Sequence, residues 1–397
     1  MTDYSYSYMS SFNTSYVYTD DVFDDIRGII HPQPFEWVIV STYVVIFLFS
    51  LIGNSLVCLT VLQNEHMRTV TNMYIVNLSI ADILVTIVCI PMTVTHEISQ
   101  TWFFGPTACK LIYYFQIVFI GVSIFTLTFI ALDRYLAICC PFKYKINRCR
   151  TVVLIAIAWL LSFIIALPLY FVQTYEEHFL KEHHNKELLS KCQENWGNET
   201  VQRLYHVGLA MALYVIPLTV ISLAYTKVCS TLWSGIPTEE KTCGKVPDKK
   251  VRSSSTSAAQ TQTENRKKVA RMLIVVVVLF ALCYFMTHLL NLLSVFGFFD
   301  KYTKHNDDNK MVPWFMVSHW FVYFNSAVNP IIYNFLSAKF RQEFKAICLC
   351  CCRRAKKRQE TISETGRSTE YVGMSCKKAS YDNGRRTQAL LSSVQTV

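Results

Sequence analysis

Charged side chains are scarce in this chain. They make up 17 % of its 397 residues against 52 % hydrophobic ones, a balance that excludes an ordinary soluble domain and points to a polytopic membrane protein. The fifteen cysteines do not form two C-x-x-C pairs, so a zinc module is excluded as well. No cationic stretch followed by an apolar one opens the sequence, so no cleavable signal peptide is expected and the first span must carry the N-terminus across by itself. Missing too are the internal repeats, broken spans and rings of like charge that a polytopic transporter, the rival from another class, would need. An enzyme would need a nucleophile with its base, or metal-ligand spacing. The adjacent His183 and His184 are the only local pair, and they fall on a loop. Cations exceed anions by ten, yet they lie between apolar runs and form no stripe among aromatics, so no nucleic-acid partner is implied.

Long apolar runs are what the sequence has in plenty. Seven windows, roughly 37–62, 73–95, 107–139, 151–172, 203–229, 269–298 and 312–336, are long enough to cross a bilayer. The expected fold is an all-α membrane protein, a seven-transmembrane helix bundle followed by a short amphipathic helix. An odd number of spans puts the termini on opposite sides. Basic residues from Lys143 to Arg150, at Arg266, Lys267, Lys268 and Arg271, and from Arg353 to Arg358 mark the cytoplasmic side. The chain therefore reads as a multi-pass plasma-membrane protein with residues 1–36, rich in Tyr, Ser and Asp, outside. Within the 37–336 domain, 233–265 reads as a flexible cytoplasmic loop with nothing apolar enough to pack. Segment 337–347 places Phe340, Phe344 and Ile347 on one helical face for the membrane interface, and 348–397 is a cytoplasmic tail. Cys348, Cys350, Cys351 and Cys352 behind that helix can carry palmitoyl chains or stay as reduced thiols. Asn13 and Asn198 fit glycosylation acceptors in segments placed outside. Asn77-Leu78-Ser79 fits the same pattern inside a span and is set aside.

The third window is the one around which the others are organised. Between Lys110 and Asp133 about 22 residues carry no formal charge, enough helix for a hydrocarbon core of about 30 Å. Polar groups in such surroundings are expensive. Asn54, Asp82, Ser123, Asn325, Ser326 and Asn329, spread over spans one, two, three and seven, therefore imply one shared polar centre able to hold water or a sodium ion. Pro91, Pro217 and Pro330 remove backbone donors in spans two, five and seven and should bend them.

The phrases Ala131-Leu132-Asp133-Arg134-Tyr135, Gly53-Asn54, Asn77-Leu78-Ser79-Ile80-Ala81-Asp82 and Asn329-Pro330-Ile331-Ile332-Tyr333 resemble the signatures of rhodopsin-like (class A) G-protein-coupled receptors. The resemblance runs from Glu36 to Cys352. It implies that Asp133 holds Arg134 at rest and that Arg134 and Tyr135 meet a heterotrimeric G protein once the sixth span moves. Ile124, Pro217, Phe280 and Tyr284, with Asn329, Pro330 and Tyr333, match the family's switch positions; Trp159 and Tyr225 match as well. Asp82, Ser123, Asn325 and Asn329 match its sodium-binding polar centre, no other cofactor being implied. Cys109 and Cys192 are candidates for one disulfide, which would pin the loop 173–202 over the bundle as a lid; the alternative is two free thiols. Arrestin, receptor kinases and membrane lipid are further implied partners, and enzymatic activity is not. One departure stands out: Met286 occupies the position where most of the family has proline in span six.

Within the family, the stretches His66 to Asn72, Thr101 to Gly105, Cys109-Lys110, Gln116, Cys192 to Trp196, Tyr205-His206, Phe280 to Tyr284, Ser318-His319-Trp320 and Asn329 to Phe335 look like orexin (hypocretin) receptors. Allatotropin receptors are the nearest competitor. The implied ligand is an orexin-like, amidated neuropeptide, and the implied output is calcium signalling. Gln116 stands where amine receptors carry Asp; it cannot neutralise a cation but can bond an amide. No Lys lies between Val312 and Ser337, which excludes a retinal Schiff base. Gln116, Asn291, His319, Tyr323 and His206 offer amide, imidazole and phenol groups to a peptide, although His206 reads equally well as a helix contact. Glu97, Glu176, Glu177 and the N-terminal Asp residues form an acidic rim that would steer a basic peptide.

Overall fold

The computed structural model describes residues 34–99, 101–140, 147–176, 190–233, 249–299 and 312–349. Asn13, Lys143, Lys145, Glu177, His183, His184, Cys350, Cys351, Cys352 and the basic tail from Arg353 lie outside the described residues. An apolar run in hydrocarbon has no water to satisfy its backbone, so each run closes its hydrogen bonds internally as a helix. The helices are α1 (Pro34–Gln63), α2 (Val70–Ser99), α3 (Gly105–Cys139), α4 (Arg148–Val172), α5 (Glu199–Leu232), α6 (Lys249–Val295) and α7 (Val312–Leu336). Strands β1 (Gln173–Glu176) and β2 (Lys191–Glu194) pair antiparallel between α4 and α5, with Tyr175 opposite Cys192. Short polar side chains start the helices. Asn147 accepts from the Cys149 amide at the head of α4, and Asn198 accepts from the Thr200 amide at the head of α5, both at 2.8 Å.

Six of these helices are individually long and apolar enough to span a membrane. α7 has 25 residues, and Ser318, His319, Asn325, Ser326 and Asn329 make it the more polar one. α3 is the strut of the bundle: it packs on α2, α4 and α5, and 72 % of its apolar window is buried against 22 % for α4. α5 continues to α6, α6 to α7, and α7 returns to α1, which closes the ring. Where helices come closest, glycine is needed. A Cβ on Gly53 would stand 2.8 Å from the Pro330 ring, and one on Gly121 would stand 2.7 Å from the Ser162 hydroxyl.

Two π turns interrupt the helices, Val85–Cys89 in α2 and Met211–Val215 in α5. Each stops two residues short of a proline, Pro91 or Pro217. A proline has no N–H to give the preceding turn and its ring crowds that turn's carbonyl, so the ladder widens by one residue there. Pro330 in α7 and Pro168 in α4 lie within regular helix; Pro168 was not among the bends read from the sequence. The helical run of α6 corrects one expectation. Residues 249–265, assigned by composition to a flexible loop, continue α6 as helix; Gly and Pro, the residues that oppose a helix most, do not occur among them.

The chain divides into two units, Met1–Ala338 and Lys339–Val397. In the second, helix α8 (338–349) places Phe340 and Phe344 in buried positions with ring centroids 5.8 Å apart. Cys348 is exposed near its end.

Candidate functional site

A cavity of about 390 Å³ lies between α2, α3, α4, α5, α6, α7 and β2. The disulfide Cys109–Cys192, with Cα atoms 5.7 Å apart, fastens β2 to the head of α3 at this end of the bundle. Trp102, fully buried beside it, donates its backbone N–H to the Ser190 carbonyl at 2.8 Å. The strand thus brings Glu194 to the cavity wall.

Gln116 sits on the α3 side with its Nε2 donating to the Tyr323 hydroxyl at 3.4 Å, which leaves Oε1 without a partner. Tyr323 is wholly buried edge-on to Tyr43 and stands behind Gln116 outside the lining. It meets the cavity through Gln116. Four residues along α7 is one turn deeper than His319, and that turn takes the phenol into the helix packing. His319 does line the cavity, and its Nδ1 is bonded to Glu97. Glu97 also accepts from the Tyr43 hydroxyl at 3.4 Å. Glu97 is therefore no outer-rim acid: α2 runs to Ser99, one turn past the apolar window, and the carboxylate turns inward to join α1, α2 and α7. An acid at the end of one span with a histidine on another was the sequence signal for this pair.

A second pair faces the first. His206 Nε2 lies 2.9 Å from a Glu194 carboxylate oxygen, which also accepts from the Trp196 indole N–H. The rings of Trp196, Tyr205 and His206 pack on one another. His206 thus ties α5 to β2 and also lines the cavity. Asn291 lines the α6 side with Tyr284, Thr287 and His288. Thr93 and His96 of α2, which the sequence reading passed over, line it too and carry buried polar atoms without partners. The described lining holds two carboxylates and four histidines but no Lys or Arg.

Deeper in the bundle, Asp82, Ser123, Asn325 and Asn329 are all buried. Asp82 Oδ2 accepts from Asn329 Nδ2 at 2.9 Å, while Oδ1 has no partner. Asn54 Nδ2 donates to the Ser50 carbonyl at 2.9 Å and the Ser326 carbonyl at 3.0 Å, tying α1 to α7. Asn77 is buried, donates to Thr126 Oγ1 at 2.8 Å and accepts from the Trp159 indole at 3.0 Å. That sequon is therefore a buckle between α2, α3 and α4. Between cavity and polar centre, Ile124, Pro217 and Phe280 are buried, and the Phe280 ring lies 4.8 Å from that of Tyr284. Tyr333 is buried in α7. At the far end of α3, Asp133 is paired with Arg134, the acid buried and the guanidinium partly exposed; Tyr135 is half-buried. Asn198 is exposed.

A bundle of seven helices with α3 as its strut, a cavity lined by acids and histidines among apolar side chains at one end and a charged pair at the other, defines a membrane receptor of seven-helix architecture. Residues 53–333 match the family model "7 transmembrane receptor (rhodopsin family)", and the chain belongs to that family. It is a multi-pass plasma-membrane receptor and not an enzyme. It is similar to Neuropeptide FF receptor 1 of Rattus norvegicus, 32 % identical over 324 residues that cover 80 % of this chain and 71 % of the relative. It is also similar to QRFP-like peptide receptor of Branchiostoma floridae, 31 % identical over 340 residues covering 84 % and 83 %.

Proposed function

We propose that this receptor binds a C-terminally amidated neuropeptide in the cavity and passes the signal to a heterotrimeric G protein. The observation that carries the reading is the lining: two carboxylates, an oriented Gln116 and no Lys or Arg among its described residues. A free peptide carboxylate entering this space would meet acids and unpaired acceptors, with no cation to offset its lost hydration. A carboxamide is neutral and brings two N–H donors, one of which suits Gln116 Oε1. Glu97 and Glu194 would favour basic side chains elsewhere on the peptide. The likeness to receptors named for neuropeptide FF and a QRFP-like peptide supports a peptide ligand. The finer reading is an orexin-like peptide, supported by the stretches around Gln116, Cys192 to Trp196, Tyr205-His206 and Ser318-His319-Trp320; an allatotropin-like peptide is the alternative.

The remaining roles follow this reading. Gln116, His319, His206 and Asn291 contact the peptide. Ile124, Pro217, Phe280 and Tyr284 relay its arrival, with Asn329, Pro330 and Tyr333 repacking beneath them, and Arg134 with Tyr135 meets the G protein. A sodium ion beside Asp82 belongs to the same reading, supported by the burial of that carboxylate and by its Oδ1, which accepts no hydrogen bond. Arrestin and receptor kinases would act on the face carrying Arg134; Asn13 and Asn198 would carry glycans, and Cys348, Cys350, Cys351 and Cys352 would carry lipid. The test is calcium and cyclic-AMP responses of cells expressing the chain to a panel of neuropeptides, each supplied as amide and as free acid. The expected result is a calcium response to an orexin-like amide with its acid at least ten-fold weaker. Equal potency of amide and acid would overturn the carboxamide reading, and silence to every peptide would overturn the peptide reading.

A further inference from the structure

Span six has no proline to weaken it. Met286 sits in its middle, and α6 runs without a π or 3₁₀ interruption from Lys249 to Val295, whereas α2 and α5 each carry a π turn ahead of a proline. Yet a carbonyl in the middle of α6 is engaged from outside the helix. The Tyr214 hydroxyl donates to the Ala281 backbone oxygen at 3.0 Å. Tyr214 lies within the π turn Met211–Val215, where the additional residue per turn rotates the side chains that follow relative to a regular helix. Its ring lies 5.3 Å from His288 and 6.4 Å from Phe280, so it spans α6 from the cavity lining to the buried Phe280. The Ala281 carbonyl is the acceptor that Phe285 N–H needs to continue the helix.

We infer that the Tyr214 hydroxyl makes Ala281 the flexing point of α6, in place of the proline that position 286 lacks. The physical ground is the behaviour of helices facing water, where carbonyls tilt outward toward a donor, their helical bonds lengthen and the helix bends. A tyrosine hydroxyl delivers the same donor to one carbonyl within an apolar span. Side-chain hydroxyls that bond helical carbonyls bend helices in the same way. The Pro217-induced π turn in α5 is thereby coupled to α6, because it is the turn that carries Tyr214. The position is apt: Ala281 lies one residue from Phe280 and less than one turn from Tyr284, which lines the cavity. This device does not depend on which peptide binds.

Hydrogen–deuterium exchange of the purified full-length receptor in lipid nanodiscs tests it, reading the segment 281–290 with α3 as the internal reference. Tyr214→Phe removes the donor and keeps the ring, so exchange in 281–290 should slow at least three-fold while α3 is unchanged. Adding Met286→Pro to Tyr214→Phe should return exchange to the wild-type rate or above. Met286→Pro alone should change the wild type less than two-fold, since its flexing point already exists. Equal exchange in wild type and Tyr214→Phe overturns the inference, as does a double variant that stays as slow as Tyr214→Phe. Should Tyr214→Phe not fold, a large acceleration by Met286→Pro in the wild type overturns it alone.

Discussion

Gln116 shows how much a single side chain can decide and how little of it composition reveals. Its position in the third span was legible as the place where amine receptors put an acid, but its orientation was not. That orientation depends on Tyr323, 207 residues away, whose hydroxyl takes the amide N–H and turns Oε1 free. Replacing Gln116 by Ala removes a buried bond worth about 0.5–1.5 kcal/mol, more if a ligand donor is left unpaired. The expected outcome is a roughly three- to thirty-fold loss of peptide potency, with 1.4 kcal/mol as a factor of ten. A concentration–response curve at matched surface expression checks it, and unchanged potency would make Gln116 a packing residue. Glu97 teaches the reverse lesson. Read by position it belonged to a solvated rim; the fold gives it Tyr43 and His319 as partners, and neither is near it in sequence.

At the scale of elements, the helices were readable because each apolar run must satisfy its own backbone in hydrocarbon, and length alone fixes how many cross. The π turns and the hairpin were not, since both are responses to neighbours. A proline announces a disturbed turn without saying whether the helix kinks or widens. The β1–β2 hairpin is short, and it is held by the disulfide closing a separation of 83 residues. A cross-link over a loop of that order is worth about 4.5 kcal/mol in the chain-entropy account. Cys192→Ala releases β2 and with it Glu194, the partner of His206. Surface ligand binding is expected to be lost, while the helical content measured by circular dichroism stays near that of the wild type. Equal binding by variant and wild type at matched surface density would show that β2 holds its place without the bridge.

For the whole molecule, the question is what keeps the end remote from the cavity quiet until the ligand arrives. Asp133 pairs with Arg134, and α6 carries Arg266, Lys267 and Lys268, where the nearby acid, Glu264, is already paired with Lys267. A charge-assisted bond of this type is roughly twice as strong as a neutral one, and Asp133→Asn keeps the shape while removing the charge. Basal signalling should rise several-fold at equal surface density, measured as calcium or nucleotide exchange without peptide. A flat basal level would move the restraint to other contacts of the bundle.

What the sequence determined by itself is the class. Scarce charge, seven apolar windows, Asp133-Arg134-Tyr135 and Asn329-Pro330 are local features, and local features survive in a linear reading because hydrocarbon imposes the same rule on every span. The tertiary structure decided the chemistry of the cavity. It turned Glu97 and Glu194 inward onto His319 and His206, set Tyr323 behind Gln116, and laid the Tyr214 hydroxyl on the α6 backbone. Each of these joins two elements, and the direction in which a side chain points is fixed only when helix rotation, helix depth and the neighbouring helix are fixed together.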